Sequence, residues 1–196
     1  MSRLKIKKNP LPYAGFLKPR ALDLVDLAVI HCTELPDLAM AREFGEKVHY
    51  PETSTGNSGH YYIERSGRVE EWVPVGRVAH HVRGYNERSV GIELVNVGRY
   101  PDWFDSRKQE LKEPYPAGQV KSLAGLLRRL KRELPALRWI AGHEALDTGR
   151  IAASDDAGKT VFRKRDPGPL FPWADLLAEV ELRRFNPPAE TDDRTI

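Results

Sequence analysis

Three short apolar segments, each about as long as a β-strand, constrain the fold of this chain most strongly. They lie at 24–30 (LVDLAVI), 89–97 (SVGIELVNV) and 137–141 (LRWIA). Runs of this length that are rich in aliphatic residues and bounded by polar residues or glycine are typical of buried strands. The sequence therefore predicts a sheet with buried central strands.

Helical patterns separate these segments. Apolar residues recur at helical spacing in 37–48 and in 117–134, and a last helix is expected at 173–185. Segments 60–64 and 68–73 flank Arg65-Ser66-Gly67, which indicates a hairpin. Strands that alternate with helices, with one hairpin between them, predict a single α/β domain in which a central mixed β-sheet is flanked by α-helices.

The length of 196 residues suits one domain with its own core. We place this domain at 24–185, after an N-terminal extension at 1–23. The Pro-rich and then acidic segment 186–196 is expected to be a disordered tail. Two long loops, at 98–116 and 147–165, interrupt the pattern of strands and helices.

Composition excludes several classes of protein. One Cys among six His excludes a disulfide framework and a zinc site built mainly of thiolates. A mean hydropathy of −0.53, without a long apolar run, argues against a membrane span. A net charge of +3 does not by itself indicate a nucleic-acid partner.

The first residues are basic and lead into no apolar stretch, so they do not form a secretory signal. The cytoplasm is therefore the expected compartment. A secreted protein that had lost its signal would look the same.

Two histidines share a similar position at the end of a predicted strand. His31 follows LAVI, and His143 follows LRWIAG. Sites in open α/β sheets collect at strand ends, so these imidazoles converge if the two strands are neighbours. Asp166, held by the turn-forming Pro-Gly-Pro that follows it, is a candidate third ligand. Two His and one carboxylate leave a position on zinc open for water, as in catalytic zinc sites.

Two further residues are candidates for catalysis. Glu93 stands in an otherwise apolar strand, where a carboxylate is costly unless it is paired or functional, and could act as a general base. Lys164 precedes Asp166 by two residues and could stabilise a developing oxyanion. Taken singly, each candidate residue has an ordinary structural explanation. The residues alone predict a zinc hydrolase but do not indicate its substrate.

Five segments in order carry a resemblance to a known enzyme family. They are VIHCTE (29–34), GHYYIERSGRVEEWVP (59–74), AHHVRGYNERSVGIELVN (79–96), AGHEAL (141–146) and KRDPGPLFPW (164–173). Together they resemble the zinc-dependent N-acetylmuramoyl-L-alanine amidases of the type-2 amidase family, which also contains phage endolysins and the peptidoglycan recognition proteins. The resemblance implies the fold of that family.

The resemblance also implies roles for individual residues. One zinc ion per chain would be bound by His31, His143 and Asp166, while the family's catalytic Glu and Lys fall on Glu93 and Lys164.

The position before the His of the hairpin strand distinguishes branches of the family. Some phage members have a Tyr there and lack the Glu, whereas this chain has Gly59 and keeps Glu93. The chain is therefore expected to lie nearest the bacterial anhydromuropeptide-type amidases. His81 and Arg83 match a segment that borders the substrate groove in the family and are expected to contact substrate.

The implied reaction is hydrolysis of the amide bond between N-acetylmuramic acid and L-alanine in peptidoglycan or muropeptides. A pI near 9.0 suits an anionic wall polymer. We expect a monomer without a nucleic-acid partner. The alternatives to a cytoplasmic protein are a periplasmic or wall-directed protein and one released by a phage. Two alternatives remain open: a non-catalytic peptidoglycan-binding module, and a zinc amide hydrolase whose long loops select another substrate.

Overall fold

Seven strands form one mixed sheet in the computed structural model, which describes residues 4–187. The strands are β1 (Ile6–Lys8), β2 (Leu27–Cys32), β3 (Tyr61–Ile63), β4 (Val69–Glu71), β5 (Ser89–Leu94), β6 (Trp139–Gly142) and β9 (Arg183–Arg184). The order across the sheet is β1-β4-β3-β5-β2-β6-β9, and all neighbours are parallel except the hairpin pair β3 and β4.

Four α-helices accompany the sheet in the described residues: α1 (Leu38–Gly45), α2 (Ala117–Glu133), α3 (His143–Leu146) and α4 (Trp173–Glu179). Five apolar residues of α2 are buried in the main core with residues of β2, β5 and β6: Leu123, Ala124, Leu126, Leu127 and Leu130. Asp37 caps α1 by accepting a hydrogen bond from the backbone N–H of Met40 at 2.8 Å. The predicted single α/β domain with a mixed sheet is confirmed. Among residues 4–187, no helix is both long and apolar enough to span a bilayer.

The register of the central strands brings the candidate residues to one edge. All six residues of β2 are buried, and its neighbours β5 and β6 both run parallel to it. His31 pairs with Glu93 of β5, and Ile30 pairs with Gly142, the residue before His143. Paired residues of parallel strands share a face of the sheet. The carboxyl ends of β2, β5 and β6 therefore form the floor of a common site.

Residues 4–23, which belong to the predicted N-terminal extension, pack on the sheet. Strand β1 pairs with β4, and the side chains of Leu11, Tyr13 and Leu17 are buried in a second core with Trp72. Glu70 accepts hydrogen bonds from Asn9 and from the indole N–H of Trp72, which fastens this segment further.

The chain departs from the predicted elements in two places. The loop predicted at 147–165 contains an antiparallel hairpin, β7 (Arg150–Ala152) and β8 (Thr160–Phe162). The helix predicted at 173–185 ends at Glu179, and the chain then forms β9. Val180 and Leu182 are buried while Glu181 between them is exposed, which is the alternation of a strand rather than a helix. Beyond 187, the predicted tail lies outside the described residues.

Candidate metal centre and groove

Three buried side chains converge at the carboxyl edge of the sheet. His31 lies near the end of β2, His143 begins α3 directly after β6, and Asp166 lies in the segment that follows β8. The two Nδ1 atoms are 2.9 Å apart, and each is 3.1 Å from Oδ2 of Asp166. The structure thus brings together the three residues predicted as metal ligands, with one ligand atom from each within 4.8 Å of the others.

The donor set fits a metal ion. Burial alone would raise the pKa of Asp166, but the neighbouring imidazoles, His143 before His31, hold it well below its usual value, so the carboxylate is ionised. Burial lowers the pKa of His143, which keeps that imidazole available as a neutral ligand. Oδ1 of Asp166 is buried without a hydrogen-bond partner among the described residues. Two imidazole nitrogens and a carboxylate suit zinc with an open coordination position.

Glu93 stands beside this cluster on β5. Its Oε1 atom lies 4.0 Å from Nδ1 of His31. Burial raises the pKa of Glu93 to about 7, against the opposing influence of His31. A Cβ atom on Gly59 would come within 2.9 Å of Cγ of Glu93, so a side chain at position 59 would displace the carboxylate. The presence of glycine at position 59 is therefore a condition for Glu93 to lie where it does.

The cluster opens into a groove with a volume of about 960 Å³, whose wall includes Lys164, Arg83 and Glu93. The positive charge of Lys164 is among the influences that lower the pKa of both Asp166 and Glu93. Arg83 is exposed on the wall of the same groove. The predicted catalytic and substrate-contacting residues thus share one cavity.

His81 also lines the groove, but its ring makes contacts that the sequence does not indicate. Nδ1 of His81 is 3.0 Å from Nε2 of His31, and Nε2 of His81 is 3.2 Å from Oγ of Ser89. The imidazole therefore lies against a candidate ligand, in addition to bordering the space open to substrate.

A buried ion pair near the centre is a second feature absent from the sequence predictions. Arg99 binds both carboxylate oxygens of Glu34, through Nε at 2.6 Å and Nη2 at 2.8 Å. It also donates to the backbone oxygens of Phe162 and Arg163, at 3.0 and 3.2 Å. Arg99 thereby ties the end of β2 to the segment that carries Lys164. A polar loop residue such as Arg99 gives no signal of burial in the sequence.

Comparisons with known proteins identify the family of this chain. The family model described as "Amidase_2: N-acetylmuramoyl-L-alanine amidase" matches residues 21–169. N-acetylmuramoyl-L-alanine amidase AmiD of Escherichia coli is 30% identical over 137 residues, which are 62% of this chain and 44% of that protein. The chain thus spans less than half the length of this curated relative.

Solved structures share the fold. The endolysine N-acetylmuramoyl-L-alanine amidase LysCS of Clostridium intestinale aligns with a TM-score of 0.64 at 20% identity, over 93% of this chain and 99% of that one. Escherichia coli AmiD, in a complex with a substrate, aligns with a TM-score of 0.61 at 23% identity, over 81% of this chain and 58% of that one. Since the family model covers most of the sequence and includes all three converging residues, the chain belongs to the N-acetylmuramoyl-L-alanine amidase family.

Proposed function

We propose that this protein is a zinc-dependent amidase that hydrolyses the bond between N-acetylmuramic acid and L-alanine in peptidoglycan or muropeptides. The observation that carries the proposal is the convergence of His31, His143 and Asp166 at the floor of a groove, with Glu93 beside them. The family supplies the substrate class. The AmiD structure holds anhydro-N-acetylmuramic acid-L-Ala-D-gamma-Glu-L-Lys as a substrate, which suggests the kind of molecule that the groove accepts.

The two imidazoles and the Asp166 carboxylate would hold the zinc. A zinc ion bound there supplies Lewis acidity toward the amide carbonyl and toward water. Glu93 takes a proton from the attacking water and returns it to the amine nitrogen of L-alanine as the C–N bond breaks. Lys164 stabilises the negative charge that develops on the carbonyl oxygen. The products are the carboxylate of the lactoyl group and a free stem peptide.

A metal test addresses the ligands. Elemental analysis of the purified protein is expected to find about one zinc per chain, the stoichiometry of a catalytic site. His31→Ala and Asp166→Ala are each expected to lose it. Retention of the full zinc content in both variants would refute the ligand assignment.

A substrate test addresses the reaction. The zinc-loaded protein is incubated separately with intact sacculi and with soluble anhydromuropeptides, and the products are identified by mass spectrometry. Release of free stem peptides is expected from at least one of the two, and the preferred substrate separates wall cleavage from fragment processing. Glu93→Gln, loaded with the same zinc, is the matched control.

The same experiment separates the alternatives. Sedimentation with sacculi without any cleavage would favour a binding module instead of an enzyme. Zinc binding without cleavage or sedimentation would favour an amide hydrolase with another substrate.

A further inference from the structure

A line of hydrogen bonds connects the backbone to the candidate ligand His31 through two side chains. The hydroxyl of Ser89 donates to the backbone oxygen of Tyr85 at 2.8 Å. Oγ of Ser89 lies 3.2 Å from Nε2 of His81, and Nδ1 of His81 lies 3.0 Å from Nε2 of His31. The other nitrogen of His31, Nδ1, faces His143 and Asp166.

The directions of these hydrogen bonds follow from the first one. A hydroxyl group has a single proton, and that of Ser89 is used on the carbonyl of Tyr85. Oγ of Ser89 therefore accepts a hydrogen bond from Nε2–H of His81. A neutral imidazole with its proton on Nε2 presents Nδ1 as an acceptor. Nδ1 of His81 thus accepts a hydrogen bond from Nε2–H of His31, and the lone pair of the His31 ring is left on Nδ1.

The position of the His81 ring is itself determined by its surroundings. Oδ1 of Asn86 accepts hydrogen bonds from the backbone N–H groups of His81 and Val82, at 3.0 and 2.8 Å. A Cβ atom at Gly91 would come within 2.6 Å of Cγ and Nδ1 of His81, so the ring occupies space that only glycine leaves free. Ser89 is fully buried. Contacts from several directions therefore fix the position of the His81 ring.

We propose that His81 and Ser89 act as positioning residues that hold His31 in the tautomer with its proton on Nε2, so that Nδ1 is directed at the metal. The inference rests on the proposed zinc site and adds the device that prepares one of its ligands. Metal-bound histidines generally donate their second N–H to a fixed acceptor, and loss of that acceptor lowers metal affinity about 10–100-fold.

The tautomer can be read directly in the zinc-loaded protein. Long-range ¹H–¹⁵N correlation spectra report which ring nitrogen of each histidine carries a proton. We expect His31 and His81 both to be protonated at Nε2 and not at Nδ1. A proton on Nδ1 of either residue would overturn the proposal.

Zinc affinity, measured by competition with a chromophoric chelator, tests the consequence. His81→Leu leaves Nε2–H of His31 without its acceptor and is expected to weaken zinc binding about 10–100-fold. His81→Asn restores an acceptor oxygen near the place of Nδ1 and is expected to recover most of that loss. Ser89→Ala is expected to weaken binding about fivefold, the contribution of one ordinary hydrogen bond.

His80→Leu is the matched control for zinc affinity, because the ring of His80 packs against Tyr50 and not against His31. Thermal unfolding of each metal-free variant verifies that it folds; if His81→Leu does not, Ser89→Ala and the spectra decide. Equal zinc affinity in the wild type, His81→Leu and Ser89→Ala would refute the positioning role and leave the amidase proposal intact. If zinc affinity depends on His81 but the protein cleaves neither sacculi nor anhydromuropeptides, the positioning role stands and the amidase proposal is refuted.

Discussion

Replacing Arg99 with Met tests whether the buried ion pair with Glu34 supports the structure around the candidate centre. The side chains of Arg99 and Glu34 are 1% and 9% exposed, and the guanidinium binds both carboxylate oxygens. The substitution keeps much of the apolar volume of the side chain. It removes the charge, the two bonds to Glu34, and the donors to the backbone oxygens of Phe162 and Arg163.

The expected loss is large because the remaining carboxylate stays buried without its partner. Breaking a buried ion pair by removing one member costs about 3–5 kcal/mol of the free energy of unfolding. In a protein of this size, each kcal/mol shifts the unfolding temperature by about 2–4 °C. Arg99→Met is therefore expected to unfold about 6–20 °C below the wild type.

The measurement is thermal and denaturant unfolding of the metal-free protein, since bound zinc would add its own stabilisation. Arg129→Met is the control with the same change of side chain. Arg129 pairs with Glu133 on the surface of α2 and is 37% exposed, so its loss is expected to cost about 0.3–0.5 kcal/mol.

A double variant tests the physical reason. In Glu34→Leu combined with Arg99→Met no unpaired charge is buried, and the replacement of a buried ion pair by apolar residues is often close to neutral. We therefore expect the double variant to be more stable than Arg99→Met, although it carries one more substitution. A double variant that is less stable than Arg99→Met, or a single variant within about 1 kcal/mol of the wild type, would refute the reasoning, since the predicted cost is about 3–5 kcal/mol.

Three further predictions concern the site and its surroundings. Glu93→Gln is expected to keep zinc and lose about 10²–10⁴-fold in turnover, with exposed Glu110→Gln as control; an active enzyme would remove the proton-transfer role. Lys164→Met is expected to lower kcat about 10²–10³-fold with little change in KM, against exposed Lys112→Met; a change in KM alone would indicate binding rather than transition-state stabilisation. Burial, with help from Arg20, lowers the pKa of His60 to about 3. The unfolded chain therefore gains a proton below pH 6.5 that the folded protein does not. The free energy of unfolding should therefore fall as the pH is lowered, by up to about 1.4 kcal/mol per pH unit. His60→Gln should reduce this slope in urea unfolding between pH 6.5 and 4.5, and an unchanged slope would assign the effect to other groups.

Much of the sheet could be predicted because its central strands have a local signal. Strand β5 lies within the apolar segment at 89–97, and β2 begins within the segment at 24–30 and ends at Cys32. The turn at Arg65-Ser66-Gly67 separates the two strands of the hairpin. The convergence of His31 and His143 was predictable on the condition that their strands are neighbours, which the pairing of β2 with β6 fulfils. The ends of helices and strands were harder to predict from the sequence. The segment after Glu179 continues the apolar content of a helix but pairs with the edge of β6 instead.

The side chains that hold the site in place could not be found in the same way, for a physical reason. Periodicity reports which side of an element is apolar, but not which distant residue that side meets. His81 lies 50 positions from His31, and Arg99 lies 65 positions from Glu34. Each is a polar residue outside the strands and helices, where polar side chains are normally solvated. Their partners are determined by tertiary packing, through the space left at Gly91 and the approach of the segment after β8. Residues that carry a reaction can thus be indicated by the chemistry of their own segment, whereas residues that position them become visible only when the segments are seen together.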